Sequence, residues 1–343
     1  MVTGPAVDDI PAPSLPKVAV VIVCWNNEGL LPGCLEAISA QTYPSARVHT
    51  IVVDNGSRDG SVCYLQREHP DVEIMALGWN SGFSIANNSA IRQAFTDPDV
   101  RYVALVNSDA HLAPNWIEAV VGEAVCKPRG ASFQALTLDY ADHRMIDSHH
   151  IFVARNLQAT QSGNRKVHDR EFHTERVFGV NAAAALYSRA FLEAQPFDDY
   201  LDERLGMYLE DVDLAARAVV MGWESWFVGG TYAYHMGSAS SKKRASGFSL
   251  YMTWRNQPGM LISNLPARTL LRALPSAIKA DMQTLAHLRR IGEHDLVPYV
   301  VKGRLVGLLR APLFLRKRRQ LAPHRVIDAD LLWQLMRDGK LLD

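Results

Sequence analysis

The sequence has few of the features that indicate a disulfide-bonded, metal-bound or membrane-spanning domain. Its four cysteines form no CxxC pair and no regular framework, so we expect reduced thiols and neither a disulfide scaffold nor a zinc site. No apolar run reaches the length of a membrane-spanning helix. Basic and acidic side chains are equal in number, 36 each, so no bulk field would attract nucleic acid.

Two nucleotide-binding signatures are also missing. No GxGxxG follows the first apolar run, and no GxxxxGKS or GxxxxGKT occurs, which disfavours the dinucleotide-binding fold and the P-loop. The first sixteen residues, MVTGPAVDDIPAPSLP, lack the basic start and apolar core of a signal peptide, and their proline content predicts a disordered tail over 1–16. We therefore expect a cytoplasmic protein.

The chain instead contains a regular alternation of strand and helix patterns. Its 343 residues, 48% of them hydrophobic, can form one large or two modest globular domains. Four apolar runs predict buried strands: VAVVIV (18–23), HTIVVD (49–54), VEIMAL (72–77) and RYVALVN (101–107). A helical segment around 83–95 separates the last two. This alternation predicts an α/β fold whose sheet is mostly parallel, with helices on both faces.

Polar residues follow three of these strands, at the edge where parallel sheets bind ligands. Asn26 follows the first strand, Asp54 and Asn55 end the second, and Asn107 and Asp109 end the fourth. We expect them to line one crevice. The stretch DNGSRDGS that begins at Asp54 also has the composition of an ordinary turn, and taken alone it favours that interpretation.

Six segments in a fixed order connect this pattern to a known family. They are VIVCWNN, VVDNGSRDGS, GWNSGFSIANNSAI, LVNSDAHLAPNW, FDDYLDERLGMYLEDVDLAARAVVMGW and AYHMGSASS. Together they resemble the family two glycosyltransferases of GT-A fold, in particular the bacterial rhamnosyltransferase-like branch, over residues 17–262. The resemblance implies a nucleotide-sugar donor, Mg²⁺ or Mn²⁺, and transfer with inversion at the anomeric carbon.

The resemblance also assigns donor-site residues. Asp54 matches the position that contacts the nucleotide base, and Asp109 matches the metal ligand of the family. A metal shared with a diphosphate needs only one or two protein carboxylates. Many relatives have an acid where Asn107 stands, and the rhamnosyltransferase-like branch usually has proline where Ser108 stands. The alternative is that Asp109 caps the following segment. The predicted nucleotide-binding residues are Asn26, Asp54, Asn55, Asn80, Gly82, Asn107 and Ser108.

Two acidic residues begin the next candidate helix. Its apolar stripe places Glu210 and Asp211 in the first turn, where the helix dipole alone would stabilise them. A positioned carboxylate can also take the proton of an acceptor hydroxyl, and the matching family position makes Asp211 the preferred catalytic base, with Glu210 orienting the acceptor or the loop. Asp213 and Arg217 are spaced for a salt bridge.

His235 completes the predicted set, because the resemblance places it where a histidine can complete the metal site. The Gly/Ser-rich loop GSASS (237–241) has the composition of a lid. Five further histidines scatter through 130–176 without ligand spacing, in a polar segment that we interpret as an insertion near the acceptor: His143, His149, His150, His168 and His173.

The region from residue 263 to 343 has a different, helical character. Its segment VVKGRLVGLLRAPLFLRKRR (300–319) interleaves apolar residues with seven lysines and arginines. Such a basic amphipathic segment is typical of one lying on an anionic membrane surface. A helical subdomain or a homodimer contact with a solvated basic face explains the pattern equally well. The sequence does not choose between them.

Three functional classes follow from these patterns. The first is a glycosyltransferase, for which the resemblance implies dTDP-rhamnose as the favoured donor, UDP-hexoses as alternatives, and a cell-surface glycan or polyprenyl-linked glycan as acceptor. The second is a sugar nucleotidyltransferase, which usually has a basic Gly-rich loop after its first strand, whereas CWNNEGLLPG (24–33) has no Lys or Arg. The third is a noncatalytic glycan-binding module, against which the four residues Asp109, Glu210, Asp211 and His235 argue together.

Overall fold

The computed structural model describes residues 15–237 and 247–336, so nearly all of the predicted tail lies outside the described residues. Its strands are β1 (Lys17–Cys24), β2 (Val48–Asp54), β3 (Glu73–Ala76), β4 (Val100–Asn107), β5 (Ala110–Leu112), β6 (Gly130–Asp139), β7 (Ile146–Ser148), β8 (His150–Val153), β9 (Ala159–Ser162), β10 (Glu175–Val177), β11 (Ala184–Ser188) and β12 (Glu224–His235). Its longer helices are α1 (Leu31–Ser39), α2 (Ser61–Glu68), α3 (Phe83–Ala94), α4 (Trp116–Val125), α5 (Arg189–Glu193), α6 (Glu210–Val220), α7 (Gly247–Asn264), α8 (Ala267–Arg290), α9 (Val297–Leu321) and α10 (Ala329–Leu335).

The first half of the sheet confirms the four predicted strands. Strand β1 pairs in parallel with both β2 and β4, and β3 pairs in parallel with β2. Helix α3 occupies the predicted helical segment. Strands β1 and β4 and the second half of β2 are mostly buried, which explains their continuous apolar character. Strand β3 lies at the edge of the sheet and is only partly buried.

The second half of the sheet is mixed, which the sequence patterns did not indicate. The strand order is β10-β12-β6-β11-β4-β1-β2-β3. Strand β11 runs antiparallel to both β4 and β6, and β12 then runs parallel to β6. The short β5 pairs with the end of β12, so the segment after β4 meets the segment that ends at His235.

Alternate side chains of β1 belong to two cores, one on each face of the sheet. Val20 and Ile22 pack with α1 and α4, including the fully buried Trp116. Ala19 and Val21 pack on the other face with α3, α5 and α6. Each buried aliphatic side chain contributes about 1.5–3 kcal/mol of hydrophobic free energy, so the two cores fix β1 and with it the strand ends that carry the site.

The C-terminal helices pack against this domain and against each other. Helices α7 and α9 lie close together, because Gly303 and Gly307 let the backbones approach: a Cβ on Gly303 would lie 2.6 Å from the Tyr251 carbonyl oxygen. A third apolar cluster joins α6 to α7, α8 and α10. The predicted division at residues 262 and 263 falls near the end of α7, and it stays a prediction.

Several cations of α9 point into the protein. Lys317 is buried, and its Nζ lies 2.8 Å from Asp199 Oδ1 and 3.1 Å from Asp202 Oδ2. Arg318 donates to the Ile262 and Leu265 carbonyls at 2.7 and 2.6 Å. Two of the basic residues of 300–319, Lys317 and Arg318, therefore bind groups inside the protein and stabilise its fold. Within 15–237 and 247–336, no helix is long and apolar enough to span a bilayer.

Candidate active site

A cavity of about 1190 Å³ opens at the carboxyl ends of the parallel strands. Eight predicted site residues line it, from β4, the loops after β2 and β3, the start of α6 and the end of β12. They are Asn55, Asn80, Asn107, Ser108, Asp109, Glu210, Asp211 and His235. The sequence thus predicted residues that the fold brings to one place, whereas Asn26, Asp54 and Gly82 lie beside the cavity without lining it.

Asn26 and Asp54 hold the turn after β2. The Asn26 Oδ1 accepts from the Arg58 amide at 2.7 Å, and the Asp54 Oδ1 accepts from the Ser57 amide at 3.1 Å. These bonds account for the turn-like composition of DNGSRDGS. Whether either side chain also contacts a nucleotide stays a prediction.

Asn55 is buried and organises the next loop. Its Oδ1 accepts from the backbone amide and the hydroxyl of Ser81, both at 2.8 Å, and its Nδ2 donates to Asn80 Oδ1 at 3.2 Å. Gly82 follows with φ of 85°, a conformation that favours glycine. A Cβ there would lie 3.2 Å from the Gly206 carbonyl oxygen, so this loop abuts the turn that precedes α6.

Asp109 and His235 meet because β5 pairs with β12. The Asp109 Oδ1 lies 3.2 Å from His235 Nε2, and Asn107 Nδ2 lies 3.3 Å from the same nitrogen. On the other side of the ring, His235 Nδ1 lies 2.9 Å from Asp147 Oδ2. The segment after Asp109 is the strand β5, and α4 begins only after Asn115, so Asp109 does not cap a helix.

The charge balance around His235 is unusual. Burial disfavours the imidazolium, but hydrogen bonds and charge from Asp109 and Asp147 outweigh it and raise the pKa of His235 to about 10. The described residues contain no group of three or more His, Cys, Asp or Glu side chains arranged as a complete metal site. One carboxylate, one imidazole and a second carboxylate that orients the imidazole nevertheless fit a partial site for a divalent cation.

Glu210 and Asp211 face the same cavity from the first turn of α6, as predicted. Burial and the neighbouring Asp211 charge raise the pKa of Glu210 to about 8. Burial also raises the pKa of Asp211, to about 6, although its Oδ1 accepts from the Val212 amide at 2.7 Å. Environments that push two carboxyl pKa values apart are typical of acid and base pairs. One turn later, the predicted Asp213–Arg217 pair is confirmed, with a separation of 2.7 Å.

The turn before α6 has a strained backbone. Gly206, Tyr208 and Leu209 all have positive φ, of 74°, 69° and 70°. The buried Asn256 of α7 holds this turn: its Nδ2 donates to the carbonyls of residues 205, 207 and 208 at 3.0, 2.8 and 2.8 Å. The C-terminal helices therefore fix the backbone that presents Glu210 and Asp211.

Sequence reasoning missed three residues of this region. Asp147 and Arg165 lie in the segment 130–176, where no spacing singles them out. Asn256 had a weak signal, because it lies in the polar stretch RNQ inside a helix that is otherwise largely apolar. Only the packing of distant segments brings these side chains to the cavity or to the turn beside it.

The comparison with known families settles the class of the protein. Residues 19–193 match Glycosyl transferase family 2, which is half of the chain. The chain belongs to glycosyl transferase family 2. This glycosyltransferase is 29% identical over 239 residues to N-acetylglucosaminyl-diphospho-decaprenol L-rhamnosyltransferase of Mycobacterium tuberculosis, a match that covers 63% of this chain and 75% of that protein. The resemblance to the rhamnosyltransferase-like branch is confirmed, and the other two functional classes are set aside.

Solved structures confirm the GT-A fold. GalNAc-T7 with UDP, GalNAc and Mn²⁺ superposes with a TM-score of 0.56 at 14% identity, covering 73% of this chain and 48% of that one. The mannosyltransferase PcManGT of Pyrobaculum calidifontis, in complex with GDP-Man and Mn²⁺, gives a TM-score of 0.52 at 17% identity and covers 93% of this chain and 87% of its own. At these identities the likeness shows the fold alone.

Proposed function

We propose that this glycosyltransferase moves L-rhamnose from dTDP-rhamnose to a hydroxyl of a polyprenyl-linked or cell-surface glycan, with inversion and with a divalent metal. The observation that carries the proposal is that Asp109, His235 and Asp147 line the same cavity as Glu210 and Asp211. That arrangement provides a place for a diphosphate and a base for an acceptor. The mycobacterial relative, named for rhamnose transfer to a diphosphodecaprenol-linked sugar, supports the choice of donor and acceptor.

In this proposal the donor nucleotide lies across the ends of β1, β2 and β4. Asn80, Asn107 and Ser108 line this part of the cavity, and Ser108 Oγ accepts from Asn27 Nδ2 at 2.8 Å. Amide and hydroxyl groups of this kind can hydrogen-bond to a base, a ribose or a phosphate. They would take the role that a P-loop has in other nucleotide-binding proteins.

Asp109 and His235 would hold Mg²⁺ or Mn²⁺, and Asp147 would keep the imidazole in the required orientation. A bound cation would neutralise the charge that develops on the leaving diphosphate. The chain itself supplies the oxygen and nitrogen donors, on two side chains that are mostly buried but line the cavity.

Asp211 is the proposed base, because backbone amides, including that of Val212 at 2.7 Å, donate to its carboxylate and favour the ionised form. Burial and the neighbouring Asp211 charge raise the pKa of Glu210 and favour its protonated form. The Asp211 carboxylate takes the proton of the acceptor hydroxyl as its oxygen attacks the anomeric carbon. Glu210 then donates a hydrogen bond that orients the acceptor. Attack from the face opposite the diphosphate inverts the configuration.

The acceptor end of the cavity lies at the hairpin of β8 and β9. Thr160, Gln161 and Asn164 line it, and of the described cavity-lining residues Arg165 is the only lysine or arginine. A guanidinium binds phosphate oxygens in pairs. Arg165 is therefore the proposed contact for the diphosphate of a lipid-linked acceptor.

Calorimetric titration with dTDP, UDP and dTDP-rhamnose tests the donor and metal, each with Mn²⁺ and with EDTA. We expect dTDP to bind more tightly than UDP in Mn²⁺ and much more weakly in EDTA. Asp109→Ala should remove the Mn²⁺ dependence, whereas Asp142→Ala, an exposed carboxylate outside the cavity, should not. Equal binding of dTDP in Mn²⁺ and in EDTA would refute the metal site, and tighter binding of UDP would refute the donor.

A further inference from the structure

Helix α8 leaves a row of large apolar side chains in solvent. Their spacing of three or four residues puts them on one face of the helix, and Leu271 is 71% exposed. The opposite face packs on the protein through Thr269, Ala273 and Ala280. We call the exposed row the α8 stripe, which consists of Leu271, Leu274, Ile278 and Met282.

Helix α9 has a second such row. Leu309 is 81% exposed, while Gly303, Gly307 and Phe314 face inward against α7. Large contiguous apolar surfaces on a folded protein mark interaction sites. We call this row the α9 stripe, which consists of Val301, Leu305, Leu308, Leu309 and Leu313.

The charged residues within helices α8 and α9 are nearly all basic. Asp281 is the only acidic residue in α8 and α9, and Arg304 Nη2 donates to it at 2.9 Å, so that charge is already neutralised. Lys302 and Arg316 lie near the two ends of the α9 stripe. The exposed cations of the two helices are Arg268, Arg272, Lys279, Arg289, Arg290, Lys302, Arg316 and Arg319.

The inward cations do not belong to this surface. Arg304, Lys317 and Arg318 bind acidic or carbonyl groups of the protein. Arg268 and Arg272 are exposed and pair with Asp330 of α10 at 3.3 and 3.6 Å. The remaining exposed cations are Lys279, Arg289, Arg290, Lys302, Arg316 and Arg319. Helix α8, with one apolar face and basic residues, has the composition of a helix that rests at a bilayer interface.

We propose that the α8 and α9 stripes, with their flanking cations, dock on an anionic lipid bilayer. A second copy of the chain fits this surface poorly, because a two-fold contact would set the same cations against each other. Anionic headgroups complement the cations while the stripes enter the interface. This inference goes beyond the proposed function, because docking on lipid requires neither donor nor acceptor.

Vesicle co-sedimentation tests the proposal, with vesicles of phosphatidylcholine alone and of phosphatidylcholine mixed equally with phosphatidylglycerol. The full chain should sediment with the mixed vesicles and stay in the supernatant with phosphatidylcholine. Leu305→Gln with Leu309→Gln should weaken binding by about tenfold or more, and so should Leu274→Gln with Ile278→Gln. Gln283→Ala, an exposed change on α8 outside the stripe, is the matched control and should bind as the wild type does.

Lys302→Glu with Arg316→Glu should also weaken binding to the mixed vesicles by about tenfold or more. All of these variants change exposed side chains, so their unfolding temperature and their binding of dTDP should stay unchanged. Loss of vesicle binding with intact dTDP binding therefore tests this proposal independently of the proposed donor. Absence of wild-type binding to the mixed vesicles would overturn the proposal. So would a concentration-dependent dimer in sedimentation velocity that the leucine substitutions dissociate.

Discussion

Asn256→Ala should separate the positioning of the proposed catalytic carboxylates, Glu210 and Asp211, from the binding of the donor. Its side-chain amide holds three carbonyls of the turn 205–209, and that turn adopts positive φ at two residues other than glycine, Tyr208 and Leu209. Such a conformation costs about 1–3 kcal/mol per residue and persists only where its surroundings enforce it. Without the amide, the turn can relax and shift Glu210 and Asp211.

The structure sets the size of the effect. The bond to Leu205 is buried and the other two are partly buried, so their loss should lower the free energy of unfolding by about 3 kcal/mol. A shift of the base by about 1 Å can lower kcat by about 10²-fold. The KM for dTDP-rhamnose should change less than kcat, because Asn55, Asn107 and Ser108 lie at the ends of β2 and β4 and only the loop at Gly82 abuts this turn.

Asn264→Ala is the control. Asn264 is a second buried asparagine of α7, and its Nδ2 donates to Asp213 Oδ1 at 2.6 Å, away from the turn. It should lose comparable stability and keep its kcat. Steady-state transfer kinetics and urea unfolding of both variants give the comparison. If Asn256→Ala unfolds more easily but keeps kcat within about twofold of wild type, then Asn256 is merely structural.

Three further outcomes follow from the site. Asp211→Asn should lower kcat by about 10²–10⁴-fold. In the wild type, kcat should fall as the pH drops below about 6, where Asp211 gains its proton, and a kcat that stays constant down to pH 5 would contradict this role. Glu210→Gln should raise the unfolding temperature at pH 8 but not at pH 4. The pKa of Glu210 is about 8 in the folded protein, so wild-type stability is lost as the pH rises above the lower pKa that Glu210 has in the unfolded chain. An equal change at both pH values would exclude a titration effect. Arg165→Ala should raise the KM for a diphosphate-linked acceptor by about tenfold and leave that for dTDP-rhamnose unchanged, and a simple alkyl glycoside acceptor, whose KM should not respond, is the control.

Local patterns in the sequence determined the first half of the fold and much of the site. Apolar runs predict β1, β2, β3 and β4. The runs of β1, β2 and β4 are nearly continuous because these strands lie inside the sheet, where a strand covered on both faces has no polar side to alternate with. The stripe that begins at Leu214 places Glu210 and Asp211 in the first turn of α6 without any knowledge of the rest of the chain. The Asp213–Arg217 pair depends only on helix periodicity.

Only the tertiary structure determines which distant residues contact the side chains of the site and of α9. Asp147 reaches His235 because β7 and β12 both pair with β6, and no local pattern specifies that pairing. The cations of α9 look alike in sequence, yet Lys317 turns inward to two aspartates and Lys302 stays in solvent. Asn256 holds a turn about fifty residues earlier in the chain. Contacts between distant segments depend on the order of the strands and the packing of helices, and the free energy that selects them comes from the whole core.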